Sequence, residues 1–194
     1  MTRISRWTTW AILGLVVTIL AMIFDYLPAE RSLAGAFANL PPMGLWDLFN
    51  AIVGSTWLLG VFVAVTTLIL YVIFLPRESI IPLAGIMGGV LINWILAPLV
   101  GRQHPGIGFD EAAFPAAGTV LWATWIGSII VVSVRRMRSG IIRTVVIGLF
   151  TLVIVLGGVA QLSTGSYVLT DVLGGWIWSV AWVLWLHQTT RSVV

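Results

Sequence analysis

One carboxylate stands apart from the other acidic residues of this chain. Asp171 lies in the segment STGSYVLTDVLGGW, residues 163–176, directly before two glycines and an apolar run. No other acidic residue follows position 111. An acid at the edge of a hydrophobic segment is costly unless it is paired or has a function, so Asp171 is the first candidate for chemistry.

Two further polar segments could meet Asp171: GRQHPG at 101–106 and FPAAGT at 114–119. Tyr167 precedes Asp171 by four residues, so its hydroxyl could reach the carboxylate if the last helix begins that early. Arg102 is the other candidate partner. Alternatively, Asp171 is an acid in the first turn of a helix, where the helix dipole favours negative charge.

Composition places these residues in a membrane protein. Of the 194 residues, 59% are hydrophobic and 9% are charged, whereas soluble domains carry about 25% charged residues. The absence of cysteine excludes disulfides and thiolate metal sites. The net charge is +3, and all ten basic residues are arginines, which we interpret as topology signals, so no nucleic-acid partner is expected.

Six segments have the length of about 20 apolar residues that a helix needs to cross the hydrocarbon core. The sequence therefore predicts an all-α, six-span bundle forming a single domain, residues 1–194. The first apolar run exceeds the 7–15 residues of a signal-peptide core and is interpreted as an uncleaved span. The predicted spans are 7–24, 48–75, 79–100, 116–134, 141–162 and 168–187.

The arginines indicate an orientation for this bundle. With the N-terminus in the cytoplasm, eight of the ten arginines lie inside, and only Arg31 and Arg102 lie outside. The acids show the opposite distribution, with Glu78 as the one inside. Both termini are therefore predicted to be cytoplasmic, and Asp171 to lie on the extracytoplasmic face of a cell membrane.

The order and spacing of the three polar segments resemble the PAP2 superfamily. These membrane lipid-phosphate phosphatases include undecaprenyl-pyrophosphate phosphatases and phosphatidylglycerophosphatase B, and their motifs are K-x6-R-P, P-S-G-H and S-R-x5-H-x3-D. The most specific match is TDVLGGW, residues 170–176. The resemblance implies a six-helix bundle in a bacterial inner membrane, with its site on the outer face.

Carried over residue by residue, the resemblance leaves most catalytic positions changed. Pro105, Pro115 and Asp171 match, as does Gly118 if one insertion is allowed. The changed positions are His104 for the first-motif Arg, Ala97 for Lys, Ala116 and Ala117 for Ser and Gly, Gly118 or Thr119 for the second-motif His, and Ala160, Gln161 and Tyr167 for the third-motif Ser, Arg and His.

The family is understood to form a phospho-His intermediate. One His attacks phosphorus, the Asp orients it, a second His protonates the leaving group, and Lys and Arg hold the phosphate. Tyr167 could attack only with an activating base, because a phenol is largely protonated at neutral pH. Neither Gly118 nor Thr119 can act as a general acid. The resemblance therefore implies a PAP2-like fold that has lost its standard catalytic residues.

Three hypotheses follow. The first is a catalytically degenerate homologue that binds a lipid phosphate, such as a polyprenyl phosphate or phosphatidic acid, or a membrane protein partner. The second is an active lipid phosphatase rebuilt on Tyr167, His104 and Asp171. The third is an unrelated membrane scaffold, whose polar segments would not converge. The candidate ligand-binding residues are Arg102, His104, Pro115, Gly118, Thr119, Ser163 and Asp171.

Each candidate also has a simpler interpretation. Arg102 and His104 could equally be interfacial anchors. His104, Asp110, Glu111 and Asp171 have metal-ligand chemistry but no recognised ligand spacing, so neither a metal nor another cofactor is predicted. The deep tryptophans are interpreted as packing or lipid-facing residues. Ser166 or Thr170 is expected to cap the last helix.

Overall fold

A computed structural model describes residues 5–24, 30, 33, 36–37, 43–74, 76–103, 112–163, 165 and 167–190. Within that part of the chain there are seven helices: α1 Arg6–Ile23, α2 Met43–Gly54, α3 Thr56–Phe74, α4 Pro76–Val100, α5 Ala117–Arg136, α6 Ile141–Ser163 and α7 Leu169–Thr189. All except α2 are long and apolar enough to span a membrane. The all-α prediction with six spans is confirmed.

The predicted second span, 48–75, is wrong in its first part. The helix breaks at Ser55 and restarts as α3, and the Ser55 hydroxyl accepts a hydrogen bond from the Leu58 N–H at 3.3 Å. Such a bond caps the start of a helix. Both helices are predominantly apolar, and the residues on either side of the break are apolar or uncharged, so hydrophobicity alone does not show the boundary.

Helix α5 forms the centre of the bundle, and it is the most buried of the six spans. It packs against α4, α6 and α7, while α1 packs mainly against α7. Gly85 on α4 permits the closest approach: a Cβ there would lie 2.8 Å from the Thr124 carbonyl oxygen on α5. The two backbones are therefore in near contact, as is common between membrane helices with small residues at their interface.

Polar residues collect at the two ends of the bundle. We call "upper" the end where α4 and α6 finish and α5 and α7 begin, and "lower" the opposite end. At the lower end, Arg136 donates to Glu78, and Arg135 donates to the His187 carbonyl oxygen at 2.8 Å. The upper end holds Arg102 and Asp171. Which end faces the cytoplasm remains a prediction from the arginine distribution.

Candidate functional site at the upper end

The turn that ends α4 places Arg102 inside the bundle. Gly101 follows the last helical residue with a φ of 61°, a left-handed conformation that favours glycine. Its N–H closes the turn on the Ala97 carbonyl at 2.9 Å. Arg102 is then only 4% exposed, and its own carbonyl accepts from the Ala113 N–H at 2.6 Å. This turn therefore places the Arg102 guanidinium in the interior of the bundle.

The Arg102 guanidinium joins three parts of the chain. Nη1 donates to Asp171 Oδ1 at 2.8 Å and to Thr170 Oγ1 at 2.6 Å, both on α7. Nη2 donates to the Phe24 carbonyl at 2.8 Å, directly after α1. Glu30 Oε2 lies 3.8 Å from Nη2. One guanidinium thus faces two carboxyl groups, with Asp171 as its closer acidic partner.

Asp171 also organises the start of α7. Its Oδ2 accepts from the Val168 N–H at 3.1 Å, and an acid in this third helical position caps the helix and complements its dipole. Its backbone carbonyl accepts from the Ala116 N–H at 3.1 Å, directly before α5. The sequence suggested two interpretations of Asp171, a partner of Arg102 and an acid in the first turn of a helix. Asp171 is both.

The expected cap of the last helix is wrong where it can be placed. Val168 occupies the N-cap position, and Thr170 lies inside the first turn, where its N–H donates to Glu30 Oε1 at 2.9 Å. Ser166, the other expected cap, lies outside the described residues. Glu30 therefore accepts from the N–H at the second helical position, which a serine or threonine cap could have served, and the Asp171 side chain accepts from the N–H of the N-cap residue itself.

Tyr167 precedes α7, so the helical spacing that would bring its hydroxyl to Asp171 does not apply. Helix α7 begins at Leu169. The Tyr167 ring packs against an apolar cluster built on Ala116, Leu162 and Val172. The expected contact between Tyr167 and Asp171 required a helix that includes both residues, and α7 begins after Tyr167.

A second, uncharged pair lies between α5 and α6. Gln161 is 2% exposed, and its Oε1 accepts from the Thr119 backbone N–H at 3.1 Å and from the Thr119 hydroxyl. Thr119 is in the first turn of α5, where N–H groups have no partner within the helix. A Cβ at Gly118 would collide with the Gln161 amide. Gln161 thus caps α5 from a neighbouring helix.

The remaining candidate residues are distributed unevenly. Pro115 is buried and lies just before the start of α5. The Ser163 hydroxyl donates back to the Ala160 carbonyl at 2.8 Å, an ordinary bond within a helix. The three further residues considered for catalysis or metal binding lie outside the described residues: His104, Asp110 and Glu111.

Sequence reasoning missed two members of this site. Glu30 lies 140 positions before Thr170, in the first loop, and no motif identified it. Gln161 was recorded only as a departure from a motif. Its signal was available, because Gln161 is an amide within a predicted span, where polar side chains usually hydrogen-bond across helices.

Comparison with solved structures places the chain among known folds. It is similar to a transmembrane PAP2 type phosphatidylglycerolphosphate phosphatase from Bacillus subtilis, with a TM-score of 0.76 and 16% sequence identity over 97% of each chain. No protein-family model and no curated protein sequence matches the chain. The chain is thus a multi-pass membrane protein with the PAP2 fold, and the resemblance seen in sequence is confirmed at the level of the fold.

The convergence of the polar segments agrees with that fold. Arg102 from the first segment and Asp171 from the third are in contact, and Ala116 from the second bonds to Asp171. The unrelated-scaffold hypothesis predicted that these segments would lie apart. Among the described residues the three segments therefore converge.

Proposed function

We propose that this chain is a PAP2-fold membrane protein that lacks the hydrolytic chemistry of the superfamily. It acts instead by binding a membrane lipid or a membrane protein partner. The observation that carries the proposal is the state of Arg102. Buried at 4% exposure, it faces Asp171 and Glu30. To hold a phosphate it would have to give up carboxylate partners, and separating a buried ion pair is strongly unfavourable.

The Thr119–Gln161 pair supports the same conclusion. By the resemblance, Gln161 takes the position of a phosphate-binding arginine, and Thr119 takes that of the general acid if one residue is inserted. Here a hydroxyl and an amide bond to each other. Neither group protonates a leaving oxygen near neutral pH, and neither supplies the full positive charge that stabilises a phosphoryl transition state.

A rebuilt enzyme would need a base for its nucleophile. Asp171 is the carboxylate that this hypothesis places in the site, and both of its oxygens already accept hydrogen bonds, from Arg102 and from the Val168 N–H. We therefore favour binding over hydrolysis. We also propose that the upper end faces the extracytoplasmic side, because the arginine-rich turn at 135–143 lies at the lower end.

Phosphate release tests the proposal. The purified full chain and a Tyr167→Phe variant are incubated in detergent with undecaprenyl pyrophosphate and, separately, with phosphatidic acid. We expect no release from either protein. Tyr167→Phe removes only the hydroxyl, and matching thermal unfolding curves would show that the fold is intact. Release by the parent chain that the variant abolishes would overturn the proposal and establish a rebuilt active site.

Lipid retention tests the choice of ligand. After delipidation, the chain is offered equal amounts of phosphatidic acid and phosphatidylcholine in mixed micelles. Because Arg102 is committed to internal partners, we expect no preference for the phosphomonoester. A marked preference that Arg102→Gln removes would instead support a lipid-phosphate site at the upper end.

A further inference from the structure

A groove walled by tryptophans lies between α1, α4 and α7. Its volume is about 320 Å³, within the usual range for small-ligand sites. Trp178, Trp182 and Trp185 of α7 form one wall, Trp7 of α1 contributes a second, and aliphatic residues of α4 such as Leu91 complete it. The upper-end site uses none of these residues.

Two of the indoles that line the groove have N–H groups bonded to other helices. Trp178 Nε1 donates to Thr18 Oγ1 at 3.1 Å, and Thr18 donates in turn to the Gly14 carbonyl at 2.8 Å. Trp182 Nε1 donates to the Ala84 carbonyl at 3.1 Å. With these N–H groups satisfied, the groove is bounded by hydrocarbon and aromatic surface. An apolar ligand is therefore the chemistry that fits.

Two glycines are required for this arrangement. A Cβ on Gly14 would lie 2.8 Å from the Trp178 ring, and one on Gly88 would collide with Trp182. The rings of Trp182 and Trp185 lie 4.8 Å apart between centroids. The aromatic wall is thus built into the helix packing before any ligand arrives, which lowers the entropic cost of binding.

The position of the groove decides its occupant. All three helices are membrane spans, and Leu91 and Ile95 at its edge are 43% and 49% exposed, so it opens towards lipid. A flexible chain fills it, because an empty groove would forfeit dispersion contacts along its whole wall.

We propose that this tryptophan groove is a binding site for one acyl chain of a membrane phospholipid. Lipid tails are as apolar as leucine, so no hydrophobic driving force separates bound from surrounding lipid. Retention comes from packing against rigid aromatic faces. The site does not depend on the absence of hydrolysis at the upper end, and its failure would leave that proposal standing.

Photolabelling tests the groove. The full chain is reconstituted in phosphatidylcholine vesicles containing a small fraction of phosphatidylcholine with a diazirine on its acyl chain, illuminated, and mapped by peptide mass spectrometry. We expect label concentrated on the groove segments of α1, α4 and α7, above the level on exposed faces such as that around Trp57. Even labelling of all apolar faces would overturn the proposal.

A second experiment repeats the photolabelling with variants that fill the groove. Ala11→Trp is expected to reduce groove labelling severalfold. Val155→Trp, which fills a separate cleft between α5, α6 and α7, should leave it unchanged. If Ala11→Trp does not fold, Leu91→Trp fills the same groove from its exposed edge. Undiminished labelling in a folded groove variant, or crosslinking of the groove to a second polypeptide instead of lipid, would contradict an acyl-chain site.

Discussion

The two ends of the bundle carry the same ion-pair chemistry in different surroundings. At the upper end, Arg102 and Asp171 have side chains that are 2% and 0% exposed. At the lower end, Arg136 donates twice to Glu78, at 3.0 and 2.8 Å; the Glu78 side chain is 9% exposed, but that of Arg136 is 39% exposed and reaches solvent. Because exposed pairs contribute little and broken buried pairs cost much, burial rather than bond length decides which pair the fold depends on.

The largest effect is expected from Asp171→Ala. The substitution leaves Arg102 in the interior without its closest acidic partner and removes the acceptor of the Val168 N–H. We expect the free energy of unfolding to fall by about 3–5 kcal/mol, measured by denaturant titration in mixed micelles. Thr170→Ser, which keeps the hydroxyl bonded to Arg102, is the matched control and should change stability little.

A loss of less than about 1 kcal/mol for Asp171→Ala would place its ion pair in the class of exposed pairs. It would contradict the comparison between the two ends, because Glu30 would then suffice to balance Arg102. The same variant also reports on the site, since the Asp171 side chain links α7 to the turn that follows α4.

Double-mutant cycles at both ends sharpen the comparison. For Arg102→Ala with Asp171→Ala, we expect a coupling free energy of at least about 1 kcal/mol, as for residues in one buried network. For Arg136→Ala with Glu78→Ala, the expected coupling is about 0.5 kcal/mol or less. Both cycles use the unfolding titration at the same ionic strength. Equal couplings would show that burial does not distinguish the pairs.

The uncharged pair is expected to have an intermediate effect. Gln161→Leu keeps the approximate size of the side chain but leaves the Thr119 N–H and hydroxyl without their acceptor. We expect a loss of about 1–3 kcal/mol in the free energy of unfolding. Ser163→Ala, on the same helix with a hydroxyl bonded only to a local carbonyl among the bonds described, is the control. A neutral Gln161→Leu would contradict its role as the cap of α5.

The spans could be predicted from sequence because crossing a membrane requires an apolar length that can be counted along the chain. The contact between the first and third polar segments was also within reach, since Arg102 was already a candidate partner for Asp171. The break at Ser55 was not, because the residues on both sides are apolar and only the capping hydroxyl marks it.

Long-range polar contacts were the least predictable part of the site. The bond from Thr170 to Glu30 joins residues 140 positions apart, and the Thr119–Gln161 pair depends on how closely α5 and α6 approach at Gly118. The sequence indicates that these side chains need partners, whereas the packing of the helices decides which partner each one meets.

The smallest expected effect is that of Glu78→Gln at the lower end, and its salt dependence is the informative part. Because Arg136 reaches solvent, we expect the substitution to cost about 1 kcal/mol or less. That difference should shrink as added salt shortens the screening length, which is about 10 Å at 0.1 M and about 3 Å at 1 M. Unfolding titrations of the parent, Glu78→Gln and Asp171→Ala at low and high salt measure this salt dependence.

The loss of stability in Asp171→Ala should persist at high salt, since salt does not enter a buried cluster. If both differences fell together, Arg102 and Asp171 would be solvated in the folded protein. A phosphate could then reach Arg102, which would reopen lipid-phosphate binding at the upper end.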